Sequence, residues 1–183
     1  MDKREATAEE ARALANPVRL QILRLCLDEA LTNKQIADRL GRDPGSTLHH
    51  VRMLVETGFL AATEVRPGAK GALEKPYKAT GKSWDVSVTD TEQAGAAHLA
   101  MVEAFRAELG LAGPSSVLFL TRFANRLNEA SFTDLFERIA AVVDEFALRN
   151  DDDGVPMAFF LGGHTRGERP AWAAPPASGA ADR

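Results

Sequence analysis

Small polar side chains and imidazoles are concentrated in the segment PGSTLHHVRM, residues 44–53. Ser, Thr and His side chains can hydrogen-bond to base edges or phosphates, and glycine permits close approach of a nucleic acid. A helix that turns Leu48, Val51, Leu54 and Val55 inward would carry these polar groups on its outer face. Ser46, His49, His50 and Met53 would then point outward, with Gly45 and Thr47 at the leading end and Arg52 on the flank. The predicted contact residues are Gly45, Ser46, Thr47, His49, His50 and Arg52.

The adjacent imidazoles of His49 and His50 cannot both point in one direction, because neighbouring residues on a helix diverge by about 100°. One of them could therefore pack while the other contacts DNA, and we favour His50 as the phosphate or base contact. The alternative interpretation of the whole face is an ordinary solvated helix surface.

A basic hairpin is predicted directly after this helix. Residues 59–66 and 75–80 favour strands, and Pro67 to Gly71 forms a turn between them. Four cations, Arg66, Lys70, Lys75 and Lys78, could follow a phosphate backbone or enter a minor groove. A module that docks another protein is the alternative, since a cationic hairpin alone does not specify DNA.

Four helices are predicted to position these groups. Thr7 and Glu10 have the spacing of a capping box that begins a helix over 8–15, and Asn16-Pro17 begins a second that runs to about residue 30. Thr32 and Gln35 begin a third helix that ends at Gly41, and Asp43-Pro44 begins the fourth, which ends at Thr57-Gly58. Two short helices joined by a glycine-containing turn and followed by a basic hairpin have the order of a winged helix-turn-helix.

The stretch from about residue 11 to 80 resembles the ArsR-like winged-helix regulators, a family of prokaryotic dimeric repressors. The resemblance rests on the segments NPVR (16–19) and HHVR (49–52), with Leu54 and Gly58 following. It implies that the third and fourth helices read operator DNA and that flanking helices pair the subunits. The metal-sensing members use cysteines near the recognition region, but TNKQIADRL (32–40) has none. Cys26 is expected in the core and His98 at an interface, so no metal or cofactor is predicted.

The second half is predicted to pair two copies. A long helix over 91–109 has an apolar side formed by His98, Met101, Val102, Phe105 and Leu109, which we expect to be the homodimer face. We expect three further elements: a strand over 116–127, a helix over 132–149 and a strand over 155–161. A helix is the alternative for 116–127. Seven of the nine phenylalanines lie after Gly113 and could line a pocket for a small apolar effector, although core packing explains the same clustering.

Composition narrows the function further. The net charge of −4 divides into +3 over residues 1–83 and −7 over 84–183, which separates a basic part from an acidic one. No membrane-spanning stretch or secretory signal is recognisable, and one cysteine fits a reducing compartment, so a cytoplasmic location is expected. Since no phosphate loop, paired nucleophile and base, or metal ligand set is visible, we expect no enzyme.

The predicted fold class is therefore α+β and mainly helical. A winged helix-turn-helix DNA-binding domain spans 1–88, a dimerisation and effector domain spans 89–164 with a small strand-helix-strand unit, and a disordered tail spans 165–183. The expected function is a homodimeric repressor that reads a palindromic operator in double-stranded DNA.

Overall fold

The computed structural model describes residues 3–68, 71–88, 91–147, 149, 151 and 153–173. It divides the chain into two compact units, which span residues 2–117 and 118–183, with Met1 assigned to the second unit. The division falls after Val117 rather than after residue 88, because the long helix of the second half packs on the first two helices.

The first unit begins with four helices whose N-termini are fixed by local hydrogen bonds. These are α1 (Ala8–Leu14), α2 (Pro17–Leu25), α3 (Asn33–Leu40) and α4 (Pro44–Glu56). The predicted capping boxes at Thr7/Glu10 and Thr32/Gln35 are both formed. Gly41 ends α3 with φ of 61°, a left-handed conformation that glycine adopts without a Cβ clash. All four predicted helix starts are confirmed.

Helix α2 is shorter than predicted, because residues 26–29 form turns and a bend that lead into the first strand of a sheet. The strands are β1 (Arg4–Glu5), β2 (Leu31–Thr32), β3 (Leu60–Ala62), β4 (Arg66–Pro67), β5 (Leu73–Glu74), β6 (Pro76–Ala79) and β7 (Val86–Ser87). Strand β6 lies between β2 and β3 in an antiparallel sheet, with Leu31 opposite Tyr77 and Ala61 opposite Lys78. The Cys26 carbonyl accepts a hydrogen bond from the Ala79 N–H, which joins the end of α2 to this sheet.

Two small features of the first unit lie outside the predicted elements. The connector after the hairpin contains a short helix α5 (Lys82–Asp85), and β7 behind it pairs in parallel with β1 at the start of the chain. The pairing closes the N-terminal segment onto the residues that follow the hairpin.

The core of the first unit lies between these helices and the sheet. Its fully buried side chains include Ile22, Leu31, Ile36, Leu54 and Phe59. Cys26 is also buried there, and burial raises the pKa of its thiol to about 11, so the thiol is protonated at neutral pH. The prediction of a core cysteine is confirmed.

Helix α6 (Thr91–Ala112) packs on α1 and α2 through small side chains. Ala97, Ala100 and Ala104 are buried, because alanine lets two helices approach closely. The larger apolar residues of α6 lie on other sides of the helix.

The second unit contains one long helix, α7 (Glu129–Ala147). The predicted strands over 116–127 and 155–161 are wrong for one copy of the chain: residues 114–116 form a 3₁₀ turn, and no strand occurs in the described residues of 117–128 or 155–161. An extended segment becomes a strand only when its backbone groups pair with a neighbour. Of the predicted tail, residues 171–173 form a 3₁₀ turn, whereas 174–183 lie outside the described residues.

Within the described ranges, no helix is both long and apolar enough to cross a membrane.

Candidate nucleic-acid interface

The N-terminus of α4 is held by a compact set of hydrogen bonds. The Asp43 carboxylate accepts from the Ser46 N–H at 2.9 Å, and the Ser46 hydroxyl donates to the Asp43 carbonyl at 3.0 Å. Pro44 occupies the first helical position. These contacts fix the direction in which the first turn of α4 points, because they satisfy backbone groups that a helix start leaves open.

Asn33 at the start of α3 joins the two helices of the motif. Its amide donates to the Pro44 carbonyl at 2.8 Å, across eleven residues of sequence. Sequence reasoning missed this residue, since nothing in its local spacing identifies a partner on the next helix. Asn33 is therefore a positioning residue for the leading turn of α4.

The inner face of α4 differs from the predicted one. Thr47, Val51 and Leu54 are each fully buried, whereas Val55 is 37% exposed and Leu48 is half-buried. The predicted exposure of Thr47 is thus wrong, because its hydroxyl donates to the Asp43 carbonyl at 2.9 Å and can be buried without an unmet hydrogen bond. The predicted burial of Val55 is also wrong. The inner face of α4 is centred nearer to Thr47 than predicted, and this leaves Val55 at the surface.

The accessible surface of α4 includes Gly45, Ser46, His49 and Arg52, and we call these four residues the α4 face. All four were predicted as contact residues. Pro44, Val55 and Glu56 are exposed at the two ends of the helix. The face combines a glycine, a hydroxyl, an imidazole and a guanidinium over two helical turns. Such a set can accept or donate hydrogen bonds at base edges and neutralise phosphates.

His50, the favoured phosphate or base contact, is half-buried in the free protein, whereas His49 is exposed. Its Nδ1 is buried and has no hydrogen-bond partner, and its ring meets that of His49 edge-on at 5.8 Å. Burial lowers the pKa of His50, and the charges of Arg19, His49 and Arg42 lower it further. The imidazole of His50 is therefore neutral at neutral pH.

Protonation of His50 should destabilise the fold. Its pKa lies below the ordinary value in the folded chain, so the unfolded chain binds the proton more readily. Stability is therefore present above about pH 6.5 and is lost as the pH falls through the lowered pKa. We expect the free energy of unfolding in urea to decrease between pH 7.5 and 5.5.

In His50→Gln, the part of this decrease that comes from His50 should be absent. The matched control His49→Gln should retain it. Equal pH dependence in the native chain and His50→Gln would contradict the placement of this imidazole.

Arg19 of α2 is buried and joins α2 to α1. Its guanidinium donates to the carbonyls of Ala13 at 2.5 Å and Arg12 at 2.6 Å, at the C-terminal end of α1. A cation at this end of a helix is favourable because it meets the partial negative charge of the carbonyls. Arg19 lies in the segment NPVR, and it acts here as a structural cap.

The C-terminal end of α4 is held by a charge cluster that sequence reasoning did not find. The Lys82 ammonium donates to the Thr57 carbonyl at 2.6 Å and lies 2.6 Å from the Glu10 carboxylate. Arg4 binds the same carboxylate through two hydrogen bonds of 2.7 and 2.8 Å. The hydrogen bond from Arg4, followed by that from Lys82, holds the pKa of Glu10 far below its usual range. Glu10 was predicted only as part of a capping box, so its distant partners left no local signal.

The hairpin over residues 60–79 carries cations in different situations. Lys75 and Lys78 are exposed, as predicted. Arg66 lies 3.4 Å from the Glu74 carboxylate, so part of its charge is already matched within the hairpin. Lys70 lies outside the described residues.

Arg42 is a further exposed cation beside the α4 face, and it was absent from the predicted contacts. It directly precedes the cap residue Asp43, and its charge acts on His50. A basic residue next to the start of an exposed helix could have been recognised from the sequence, because helix N-termini attract phosphates.

The predicted dimer face lies on a side of α6 that the first unit leaves accessible. His98, Met101 and Val102 are exposed, whereas Phe105 and Leu109 are half-buried. Leu99, one helical turn before Val102, is exposed as well. The described residues contain no group of three or more His, Cys, Asp or Glu side chains that could hold a metal ion.

The geometry of α3, Gly41 and α4 is that of two helices joined by a tight turn, with the second helix exposing a polar face. A family model described as a helix-turn-helix domain matches residues 14–61. The match spans α2, α3, α4 and the start of β3. No curated protein matches the chain. The helix-turn-helix domain indicates a DNA-binding regulator.

Proposed function

We propose that this chain is an ArsR-like winged-helix repressor that binds a palindromic operator as a homodimer. The observation that carries the proposal is the α4 face, which a capped and buried helix presents to solvent within the helix-turn-helix domain. The major groove of B-DNA, about 12 Å wide, admits one α-helix with such a face.

In this proposal α4 enters the major groove with its N-terminal turn leading. Ser46 and His49 contact base edges, and Gly45 allows the backbone to approach. Arg42 and Arg52 contact phosphates on either side, and the exposed Lys75 and Lys78 of the hairpin act as the wing on the adjacent backbone.

The proposed dimer pairs two copies through the accessible side of α6. His98, Met101 and Val102 are exposed in a single copy. Exposed apolar side chains on a helix whose opposite side is packed favour self-association. Two copies would place their α4 helices in half-sites about one helical turn apart, which explains why a palindrome is expected.

Repression by occupying an operator needs no catalytic group, and we propose that the protein acts in this way in the cytoplasm. An apolar effector that binds the phenylalanine-rich second unit would regulate such a repressor. The supporting observation is that Phe119 and Phe159 lie 6.4 Å apart with both rings exposed.

Selection of bound duplexes from a random DNA pool, followed by titration of the best sequence, tests the proposal. We expect a palindromic site and binding that weakens steeply with salt, because a dimer that neutralises about eight phosphates should give a log-log slope of roughly −7. If no DNA sequence is enriched and the chain binds a partner protein with an affinity that does not depend on salt, the chain is instead a protein-docking module.

A further inference from the structure

The second unit exposes nearly all of its large apolar side chains. Among the residues from 118 to 172 whose burial the structure describes, none is buried. On α7 the exposed set includes Phe132, Phe136, Ile139, Val142 and Phe146. Core packing, one of the two interpretations of the phenylalanine clustering, is therefore wrong within a single copy.

One stripe of α7 has the spacing of a helix-pairing seam. Phe132, Leu135, Ile139, Val142 and Phe146 are separated alternately by three and four residues, and we call them the α7 seam. This alternation is the pattern by which two helices pack side chains into each other over several turns. A surface helix that only covers its own domain would have part of this stripe buried.

The apolar area that α7 exposes is comparable to that of a functional surface patch. Phe132, Phe136 and Phe146 are 40%, 61% and 53% exposed, even though Phe132 already contacts the Trp172 ring at 5.4 Å. At roughly 200 Å² for each phenylalanine side chain, these three rings alone leave about 300 Å² of apolar surface in water. An apolar patch of that size is often functional, and the exposed Ile139 and Val142 enlarge it further.

The charges and the spacing of the residues on α7 indicate which molecule covers the α7 seam. We infer that the α7 helices of two copies of this chain pair antiparallel through the α7 seam. Antiparallel pairing places Ile139 opposite Val142 of the second copy and Leu135 opposite its Phe146. On one flank Phe136 then meets Val143, and on the other flank Arg138 meets Glu145 of the second copy.

Parallel pairing does not give this match. It would place Arg138 beside Val143, so the arginine would meet no carboxylate of the second copy on that flank. Antiparallel pairing instead forms the Arg138–Glu145 contact twice, once on each side of the two-fold axis. Within one copy Arg138 already lies 3.6 Å from Asp134, a contact that leaves most of its side chain exposed.

The inference is independent of DNA binding, and a charge swap tests it in the full-length chain. Residues 138 and 145 are seven apart, or about 10 Å along a helix, so they cannot pair within one copy. Arg138→Glu and Glu145→Arg should each weaken the dimer by about tenfold, because two attractive contacts become two repulsions. The double variant should return to within about twofold of the native dissociation constant.

Sedimentation equilibrium measures these constants, and Glu137→Arg is the matched control because it changes the same charge away from the seam. If α6 keeps all variants dimeric, hydrogen exchange over residues 129–147 supplies the second readout: faster exchange in each single variant and native exchange in the double variant support the inference. A monomeric native chain at 100 µM overturns it. So does a double variant that is no better than the single ones, or an Ile139→Asp variant with native mass and native exchange.

Discussion

Reversing the charges of Arg42 and Arg52 together should weaken operator binding by at least about 100-fold, because phosphate contacts supply most of the affinity of such interfaces. Arg52 belongs to the α4 face and Arg42 lies beside it, and both residues are exposed. In a dimer four attractive contacts would become four repulsive ones. Fluorescence anisotropy with a selected duplex measures the change, and the melting temperature should stay close to native because neither side chain is buried.

The matched control for this experiment is the double variant Arg122→Glu, Arg126→Glu. It changes the net charge by the same amount on exposed cations of the second unit. We expect it to weaken binding far less than the first pair. Equal losses from the two double variants would mean that net charge governs binding and that the α4 face has no special part.

Truncating Leu54 should destabilise the protein by about 2–5 kcal/mol, the usual cost of leaving a cavity in place of a buried leucine. Leu54 is fully buried and belongs to the hydrophobic core beneath α4. Urea unfolding of Leu54→Ala, followed by circular dichroism, measures this cost.

Its neighbour Val55 is the control, because Val55 is exposed where the sequence pattern predicts it to be buried. Val55→Ala should cost less than about 1 kcal/mol, as expected for a surface position. A cost for Val55→Ala equal to that for Leu54→Ala would restore the predicted inner face and contradict the rotation of α4.

The parts of the fold that local chemistry determines could be predicted from the sequence. Thr7, Asn16, Thr32 and Asp43 each accept a hydrogen bond from a backbone N–H three residues later, and each helix begins where that spacing places it. Helix capping involves groups within one turn, so the pattern of residue types is sufficient. The order of helices and hairpin followed from these boundaries.

The orientation of α4 could not be predicted as well, because both Leu48 and Val55 are apolar and Thr47 is polar. A hydropathy pattern therefore predicts an inner face of α4 that is rotated by about one residue from the observed one. The decisive fact is the hydrogen bond from the Thr47 hydroxyl to the Asp43 carbonyl, which makes a polar side chain suitable for burial.

Contacts between distant parts of the chain were also out of reach. Glu10 and Lys82 are far apart in sequence, yet they meet below the last turn of α4. The strands predicted over 116–127 and 155–161 failed for a related reason, since periodicity reports apolar character but does not supply a pairing partner.

The central claim is that the α4 face meets DNA, and mapping of backbone amide signals by nuclear magnetic resonance tests it most directly. Titration of the full-length protein with a selected duplex should shift the signals of residues 42–53 and of the hairpin around Lys75 and Lys78, and change those of α2 far less. Saturated DNA binding with unshifted signals over 42–53 would contradict the account.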